Sequence, residues 1–205
     1  MNEIASSSAG QRGPADHDIR DQIVAAANKH FGHFGYAKTT VSDLAKAIGF
    51  SKAYIYKFFD SKQAIGEAIC SQCLGTVLAS VHTSVAEGKS ATDKFRRLFQ
   101  TLVARTSELF FNDRQLYEVA AYSSSEGWQS SRNYEEQIRG ILLEILREGR
   151  ESGEFERKTP LDETARAIFL VMQPFVKPLL LQHNLDLIDE APKEIAGLVL
   201  RSLAP

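Results

Sequence analysis

The chain has 205 residues, is 43% hydrophobic and carries a formal net charge of −2, which allows a sizeable core in one domain or two small ones. Residues 1–62 hold 8 Lys and Arg against 6 Asp and Glu, whereas residues 63–205 hold 16 against 20. Any surface that attracts phosphate groups must therefore be local to the N-terminal part. No apolar run reaches the roughly 18 residues that span a membrane, and the polar N-terminus is unlike a secretion signal, so we expect a cytoplasmic protein without a membrane partner.

A short leader is expected before the first helix. Residues 1–15 are small and polar and include Pro and Gly, which indicates a disordered segment or, alternatively, an arm that contacts DNA. Asp16 is a suitable N-cap for the helix that follows, and Gly32 and Gly35 loosen the end of that helix. Apolar residues recur between these points at helical spacing: Ile19, Ile23, Ala26, Ala27, Phe31 and Phe34.

A second helix and a tight turn come next. Either Thr39 or Thr40 can cap this helix, and Asp43 in its first turn suits the helix macrodipole. Gly49 can adopt the left-handed conformation that a tight turn between helices requires. The apolar positions of the second helix are Val41, Leu44, Ala45 and Ile48.

The third helix carries the surface that predicts a function. Ser51 can cap it, and Ile55 and Phe59 share a face that packs on the first two helices, with Phe58 nearby. The opposite face is basic, bears hydroxyl groups and has one small residue for close approach: Lys52, Ala53, Tyr56 and Lys57, with Tyr54 at its border. The segment 40–59 therefore predicts a helix-turn-helix whose second helix enters the DNA major groove.

The remaining sequence predicts further helices and no strand. Ser61 can cap a long fourth helix that runs toward Gly88, and its apolar residues are Ile65, Ile69, Leu74, Val77, Leu78 and Val81. A fifth helix is predicted over about 92–110 and a sixth over about 113–122. A seventh carries an apolar stripe and ends at Gly149 or Gly153; the stripe is Ile138, Ile141, Leu142, Ile145 and Leu146.

Prolines mark the last two predicted helices. Pro160 can occupy the first position of an eighth helix, and Pro174 and Pro178 should kink or break it. A last helix is predicted over about 191–203. The protein is thus predicted to be all-α, with about nine helices. A three-helix DNA-binding head over residues 16–62 precedes a larger ligand-binding and dimerisation domain over residues 63–205.

Other functional classes have weak support. Cys70 and Cys73 form a C-x-x-C pair, but no second Cys or His pair with zinc spacing accompanies it. On a helix the two thiols would pack as small apolar groups, with redox sensing or metal binding as the alternative. Gly88-Lys89-Ser90 is similar to the end of a phosphate-binding loop, but Thr83 occupies the position of its first Gly. We therefore expect no enzyme, no metal site and no cofactor.

The N-terminal third of the chain closely resembles the TetR (tetracycline-repressor-like) family of one-component bacterial regulators. The matching residues stand in unbroken order: Arg20, Ile23, Ala26, Ala27, Phe31, Gly35, Tyr36, Thr39, Thr40, Val41, Leu44, Ala45, Gly49, Ser51, Lys52, Tyr56, Phe59, Lys62 and Ile65. Gly153-Glu154-Phe155 also recurs in such proteins. The departures are Ile48, Phe50, Ala53 and Tyr54, where Ala, Val, Gly and Thr are common, and Tyr54 bears on the operator sequence.

The resemblance implies roles for residues of the head. Thr40 and Tyr56 would contact DNA phosphates, and Lys62 would do so from the start of the fourth helix. The residues facing the groove would be Ser51, Lys52, Ala53, Tyr54 and Lys57. The family default is a repressor that binds a palindromic operator as a homodimer, since one head reads only a few base pairs. The alternatives are a ligand-independent DNA-organising protein with the same head, or a cysteine-based redox sensor.

The resemblance also implies an effector pocket and a dimer interface in the larger domain. A small apolar or amphipathic effector would bind among its helices, and the candidate contacts are Phe99, Tyr122, Trp128 and Met172. Its binding would change the spacing of the paired heads. The last two helices would form the dimer interface, and its candidates are Ile168, Val171, Phe175, Leu179, Leu180, Ile195, Leu198, Val199 and Leu203.

Overall fold

The computed structural model of the protein describes residues 14–205, which form ten α-helices, one short 3-10 turn and no β-strand. The all-α prediction is confirmed, with one helix more than the nine expected. The predicted leader lies outside the described residues except for Pro14 and Ala15, which begin the first helix. Asp16 is therefore not the N-cap. It lies in the first turn, where its carboxylate still suits the positive end of the helix dipole.

The head consists of α1 (Pro14–Phe34), α2 (Val41–Ile48) and α3 (Lys52–Ile55). α1 ends as expected at Gly35, which has a φ of 79°. Phe34 is 60% exposed, so the apolar stripe predicted for α1 stops one turn earlier, at Phe31. The core of the head is built from side chains of all three helices and of the start of α4, chiefly Ile23, Ala27, Phe31, Leu44, Ile55, Phe59 and Ile65.

α3 is shorter than the sequence predicts. Regular helix covers only Lys52–Ile55, and the chain continues to Phe59 in turns. The backbone N–H groups of Phe58 and Phe59 both donate to the Ile55 carbonyl, at 3.0 and 3.1 Å. Because these bonds keep the chain tightly coiled, Ile55 and Phe59 are both buried, as predicted.

The larger domain contains seven helices: α4 (Lys62–Ala86), α5 (Ala91–Asn112), α6 (Arg114–Ser125), α7 (Gln129–Ser152), α8 (Leu161–Val176), α9 (Pro178–Leu181) and α10 (Ala191–Ser202). α4 packs against α1 of the head and against α5, α6 and α7. Within residues 14–205 it is the one helix that is long and apolar enough to cross a membrane, although polar residues interrupt its apolar ones. Its buried side chains are shared between both hydrophobic cores, so it is a core helix that links them.

The prolines act differently from the prediction. Pro174 lies inside α8, which continues to Val176 and ends before Pro178. Pro178 then begins α9. Proline is tolerated there, because the first N–H groups of a helix make no hydrogen bond within the helix. Pro160 precedes α8 as its N-cap instead of occupying the first helical position. The break before Pro178 divides the predicted eighth helix in two, which accounts for the additional helix.

The Gly153-Glu154-Phe155 corner joins the end of α7 to the start of α5. Gly153 ends α7 with a φ of 80°, which decides between the two glycines predicted for this position. The Glu154 carboxylate accepts hydrogen bonds from the first two backbone N–H groups of α5, both at 3.0 Å. The Phe155 ring packs against Gly149 so closely that no side chain fits there. The triplet is therefore a structural corner.

Candidate nucleic-acid interface

Thr40 begins the helix-turn-helix with a reciprocal cap. Its Oγ1 accepts a hydrogen bond from the Asp43 N–H at 3.2 Å, and the Asp43 carboxylate accepts one from the Thr40 N–H at 2.9 Å. The Thr40 hydroxyl also donates to this carboxylate at 2.7 Å, and these bonds hold the pKa of Asp43 below its usual range. Thr39, the other candidate cap, is buried and donates its hydroxyl to the Gly35 carbonyl. The cap is thus Thr40, which is exposed.

Gly49 and Ser51 fix the turn between the two helices. Gly49 has a φ of 78°, the left-handed conformation predicted for it. The Ser51 Oγ accepts a hydrogen bond from the Tyr54 N–H at 3.1 Å, which caps α3 as predicted. Both signals are local, so the sequence alone was sufficient to find them.

One face of α3 and the turn after it is open to solvent. Ile55 and Phe59 are buried against the head, with exposed fractions of 0% and 2%. The residues on the outer side are exposed: Ser51, Lys52, Ala53, Tyr56 and Lys57. The structure therefore brings these five predicted groove-facing and phosphate-contacting residues together on a basic, hydroxyl-bearing surface.

Tyr54 belongs to this surface with only part of its side chain, because the residue is half-buried. Its ring packs edge-on against Phe50 at 5.0 Å and against Phe58 at 5.3 Å between centroids. The Lys57 ammonium lies 5.6 Å from the centroid of the same ring. Two departures from the family pattern, Phe50 and Tyr54, are thus in direct contact, and part of the tyrosine ring is committed to packing.

Lys62 is turned toward the loop between α1 and α2. Its Nζ donates to the Tyr36 carbonyl at 3.0 Å and lies 4.3 Å from the centroid of the Tyr36 ring. A longer contact of 3.5 Å reaches the Ala37 carbonyl. Burial lowers the pKa of this half-buried lysine. Two of its three N–H groups are therefore directed at the protein, which leaves one for a phosphate.

Arg20 holds the turns that follow α3, at Phe58 and Phe59, against α1. The sequence did not reveal this role. The Arg20 Nη1 donates to the Phe58 carbonyl at 2.7 Å, and its guanidinium stacks 4.1 Å from the centroid of the Phe59 ring. The side chain thus ties α1 to the turns that follow α3. Its match to the family pattern was the available signal, but only the contacts show its role.

Two of the four effector candidates lie at the junction between head and larger domain. Tyr122 and Trp128 pack with Tyr36 of the head, at centroid distances of 4.9 Å and 5.1 Å from it. Gly66 of α4 lies against the rings of Trp128 and Tyr36. Nearby, the Glu67 carboxylate accepts a hydrogen bond from the Ser130 N–H at 2.9 Å. Sequence reasoning gave no role to Gly66 or Glu67, and only the packing reveals one.

The other two effector candidates lie in the core of the larger domain. Phe99 and Met172 are both 0% exposed and belong to its main hydrophobic cluster. The structure therefore does not bring the four candidates into one pocket. An internal space bordered by Tyr134, Ile138 and Phe169 holds about 10 Å³, which is at the limit for a single water molecule.

The dimer-interface candidates divide in the same way. Ile168, Phe175, Val199 and Leu203 are buried in the core of their own chain, and their place in an interface stays a prediction. Leu180 and Ile195 are half-buried. The remaining three candidates, Val171, Leu179 and Leu198, are exposed, and so is Leu170 beside Val171.

The two cysteines are free thiols inside the protein. Cys70 is buried and Cys73 half-buried. Burial raises the pKa of Cys70 to about 12 and that of Cys73 to about 11, which disfavours the thiolate form of both at neutral pH. Over residues 14–205, no group of three or more His, Cys, Asp and Glu side chains is placed to hold a metal ion.

The structure thus combines a capped helix-turn-helix, whose second segment is basic and anchored, with a larger helical domain. Residues 23–69 match the family model described as bacterial regulatory proteins of the tetR family. Residues 91–196, more than half of the chain, match the model of the tetracyclin repressor-like C-terminal domain. The chain belongs to the TetR family of transcriptional regulators.

Curated relatives match over different lengths. IcaR of Staphylococcus aureus (strain Newman), the negative transcriptional regulator of the biofilm operon icaADBC, is 38% identical over 55 residues. That segment covers 27% of this chain and 30% of IcaR, so the chain spans less than a third of this relative. YdgC of Bacillus subtilis, an uncharacterized HTH-type transcriptional regulator, is 20% identical over 92% of this chain and 94% of its own.

Solved structures of similar fold cover nearly the whole chain. FadR from Bacillus subtilis in complex with stearoyl-CoA has a TM-score of 0.68 and 21% identity over 89% of this chain and 98% of its own. The fatty acid degradation regulator FadR from Bacillus halodurans has a TM-score of 0.69 and 21% identity over 93% and 97%. PfmR from Thermus thermophilus, a TetR family regulator, has a TM-score of 0.61 and 26% identity over 91% and 97%.

Proposed function

We propose that the protein is a repressor that binds a palindromic operator as a homodimer and is released by a small apolar or amphipathic effector. The observation that carries this proposal is the exposed face from Ser51 to Lys57, held in place by the buried Ile55 and Phe59. Such an anchored, basic face suits hydrogen bonds to base edges and phosphates. Repression is supported by the similarity of a 55-residue segment of the chain to IcaR, a negative regulator. The bacterial cytoplasm is the place of action that this proposal entails.

The head residues have separate roles in this proposal. Lysines supply charge, hydroxyl groups bond to phosphate oxygens, and a small residue lets the backbone approach the bases. The groove-facing residues are Ser51, Lys52, Ala53, Tyr54 and Lys57. The phosphate contacts are Thr40, Tyr56 and Lys62. For Thr40, the hydroxyl would exchange its bond to Asp43 for one to phosphate.

Selection of bound DNA from a random library tests the DNA-binding part. We expect a palindrome whose half-sites lie about one helical turn, roughly 34–36 Å, apart. Lys52→Ala should change the base preference, because an exposed lysine on this face can donate to a guanine edge. Unrelated sequences without symmetry would contradict the proposal.

The salt dependence of operator affinity tests the phosphate contact of Lys62. Removing one phosphate contact reduces the slope of log affinity against log salt by about 0.9, whichever sequence is bound. We expect this change in Lys62→Ala. If Lys62 only braces the loop of Tyr36, affinity falls with the slope unchanged, and the phosphate role is lost. Exposed Lys29→Ala, on α1, is the matched control.

Dimerisation is proposed through the exposed apolar side chains of α8, α9 and α10. Leu170, Val171, Leu179 and Leu198 are between 36% and 62% exposed, and a second copy of the chain would cover them. Leu198→Arg should shift sedimentation from dimer to monomer. Leu187→Arg is the control, because Leu187 is 48% exposed on the 3-10 turn outside these helices. A wild-type protein that sediments as a monomer would contradict the proposal.

The effector is proposed to act by shifting the population of head spacings. An effector that binds more tightly when the heads are spaced wrongly for DNA lowers operator affinity. The decrease equals the difference between its binding free energies for the two spacings, commonly about 1–3 kcal/mol or 5–150-fold. Stearoyl-CoA, held by FadR from Bacillus subtilis, is a suitable first probe. We expect it to weaken operator binding by a factor in that range.

A DNA-binding protein that responds to no ligand is the second candidate. The observation that favours it is the closely packed interior around Phe99, Met172 and the 10 Å³ space beside Tyr134. Under this alternative, operator affinity stays constant across a panel of acyl-CoA and other amphipathic molecules. Release by any one of them would favour the effector-controlled repressor.

A further inference from the structure

A tyrosine of the head is inserted into the larger domain. Tyr36 follows the end of α1, and its ring packs against Tyr122 of α6 and Trp128 at the start of α7, with centroids 4.9 and 5.1 Å away. The Lys62 ammonium, at the start of α4, lies 4.3 Å from the centroid of the same ring. One side chain of the head thus contacts three helices of the larger domain. We call Tyr36, Tyr122 and Trp128 the aromatic junction.

The part of the larger domain that receives this ring is held together by hydrogen bonds. Trp128 is the N-cap residue of α7 and makes no side-chain hydrogen bond to that helix. The Glu67 carboxylate of α4 instead accepts a hydrogen bond from the Ser130 N–H at 2.9 Å, so α4 supplies the cap of α7. The Trp128 N–H donates to the Ser123 carbonyl of α6 at 3.0 Å. Bonds between α4, α6 and α7 therefore fix the place into which Tyr36 fits.

The head meets α6 at a second point. Gly32, in the last turn of α1, lies against the side chain of Gln115 in the first turn of α6. Tyr122 lies about two turns further along α6, so the two contacts are about 10 Å apart at a rise of about 1.5 Å per residue. Two separated contacts on one helix oppose rotation of the head as well as its displacement.

The orientation of the heads matters because a palindrome has a fixed spacing. One base pair added between two half-sites separates them by about 3.4 Å and rotates one against the other by about 34°. In a symmetric dimer each head would take up half of this change, about 1.7 Å and about 17°. A gap of only about 0.5–1 Å already removes a quarter to a half of the van der Waals attraction between two atoms. A head that moved this far relative to its larger domain would therefore lose the ring contacts of the aromatic junction.

We propose that the aromatic junction determines which half-site spacing the protein accepts, whereas the exposed face from Ser51 to Lys57 determines which bases each half-site contains. The spacing preference is then set by residues outside the segment predicted to face DNA. Tyr36, Tyr122 and Trp128 are positioning residues in this inference, since they act on DNA through the head. The inference rests on the proposed homodimer and its palindromic operator.

Operators of different spacing test the inference. The palindrome obtained by selection is compared with versions that have one base pair inserted or removed at the centre, and with a single half-site. Fluorescence anisotropy of labelled DNA measures the affinity of the full chain for each. We expect wild type to bind both altered palindromes about tenfold more weakly or worse, because each ring contact changes an equilibrium constant by about two- to tenfold.

Two variants loosen the aromatic junction. Tyr122→Ala removes a ring from an exposed position, so the fold should tolerate it. Tyr36→Leu keeps an apolar side chain but removes the ring and its contact with the Lys62 ammonium. In both variants we expect the loss of affinity on altered spacing to fall to about threefold or less. Their affinity for the single half-site should stay within about twofold of wild type, because one head needs no partner at a fixed distance.

Phe111→Ala is the matched control for Tyr122→Ala. Phe111 is another exposed aromatic residue of the larger domain, and its ring packs on Phe110 outside the aromatic junction. This variant should keep the spacing preference of wild type. A relaxed preference in Phe111→Ala as well would show that any loss of an exposed ring has this effect, and it would overturn the inference.

The single half-site separates positioning from a merely structural role. Variants that only destabilise the head would bind the half-site and all three palindromes more weakly by the same factor, with an unchanged spacing preference. That result in Tyr122→Ala and Tyr36→Leu, or wild-type behaviour of both, would overturn the inference and leave the proposed function intact. A wild type that binds its selected DNA with no preferred spacing would overturn the inference and the proposed palindrome together.

Discussion

Gly66 and Trp128 are in contact at the point where the head meets the larger domain. A Cβ atom at position 66 would lie 2.7 Å from Trp128 Cη2 and 2.9 Å from Tyr36 Cε2. Both distances are shorter than real Cβ contacts, so any side chain at this position must displace the rings. The close approach of α4 to this aromatic cluster therefore depends on glycine.

Gly66→Ala should lower the free energy of unfolding by about 1–3 kcal/mol, the usual effect of overpacking. The emission of Trp128, the single tryptophan of the chain, should change in the folded state because its ring must shift. Urea unfolding followed by tryptophan fluorescence and by circular dichroism measures both effects.

Gly75→Ala is the control for this prediction. Gly75 lies in the same helix, and a Cβ atom there would meet nothing within 4 Å. Alanine should raise stability by about 0.5–1 kcal/mol at this position, since it favours helix more than glycine does. If Gly66→Ala also raised stability, the contact with Trp128 would have to be looser than described.

The ring contact between Phe50 and Tyr54 should contribute to the stability of the head. A double-mutant cycle of Phe50→Ala and Tyr54→Ala should give a coupling free energy of about 0.5–1.5 kcal/mol. The same cycle with exposed Tyr56 in place of Tyr54 should give a value near zero. A coupling near zero for Phe50 and Tyr54 would show that their contact has no energetic importance.

Glu154 should make stability depend on acid pH. Hydrogen bonds from the Thr92 and Ala91 N–H groups hold its pKa below the ordinary glutamate value of about 4.3. Because the folded pKa is the lower one, the carboxylate stabilises the fold above pH 4.3, and this contribution is lost as the pH falls through the folded pKa.

Glu154→Gln should therefore lower stability by about 1 kcal/mol at pH 7, the usual effect of a lost cap, and by less near pH 3. Denaturant unfolding at several pH values measures the difference. Glu136→Gln, at an exposed position of α7, should have little effect at either pH. A constant difference between wild type and Glu154→Gln at all pH values would contradict the titration argument.

The thiols should react slowly in the folded protein. With pKa values of about 12 and 11, Cys70 and Cys73 have thiolate fractions at pH 8 at least about 100-fold below that of an ordinary cysteine. Alkylation by iodoacetamide at pH 8 should be slower than in denaturant by at least that factor. Fast native alkylation together with a changed operator affinity would instead support the redox-sensor alternative.

The local features of the head could be predicted because short-range chemistry determines them. The Thr40 cap, the left-handed Gly49 and the Ser51 cap each depend on a few neighbouring residues. The length of α3 could not be predicted in this way. Its apolar residues have the same spacing in a regular helix as in the turns that the structure shows.

The roles of apolar residues in the larger domain depend on which helices meet, and helical spacing does not contain that information. Ile168 and Val171 are both apolar residues of α8 and both interface candidates, yet the first is 5% and the second 47% exposed. Trp128 is predicted to contact an effector, and the structure places it at the junction, in contact with Tyr36 and Tyr122.

The edge contact between the Phe50 and Tyr54 rings links residue 50 to the recognition segment. A recognition segment grafted from another family member, with Thr at position 54, would leave one face of the Phe50 ring without its neighbour. We therefore expect that exchanging residues 51–57 alone would weaken the packing of the head. Replacing residue 50 as well, outside the segment predicted to face DNA, would avoid this loss.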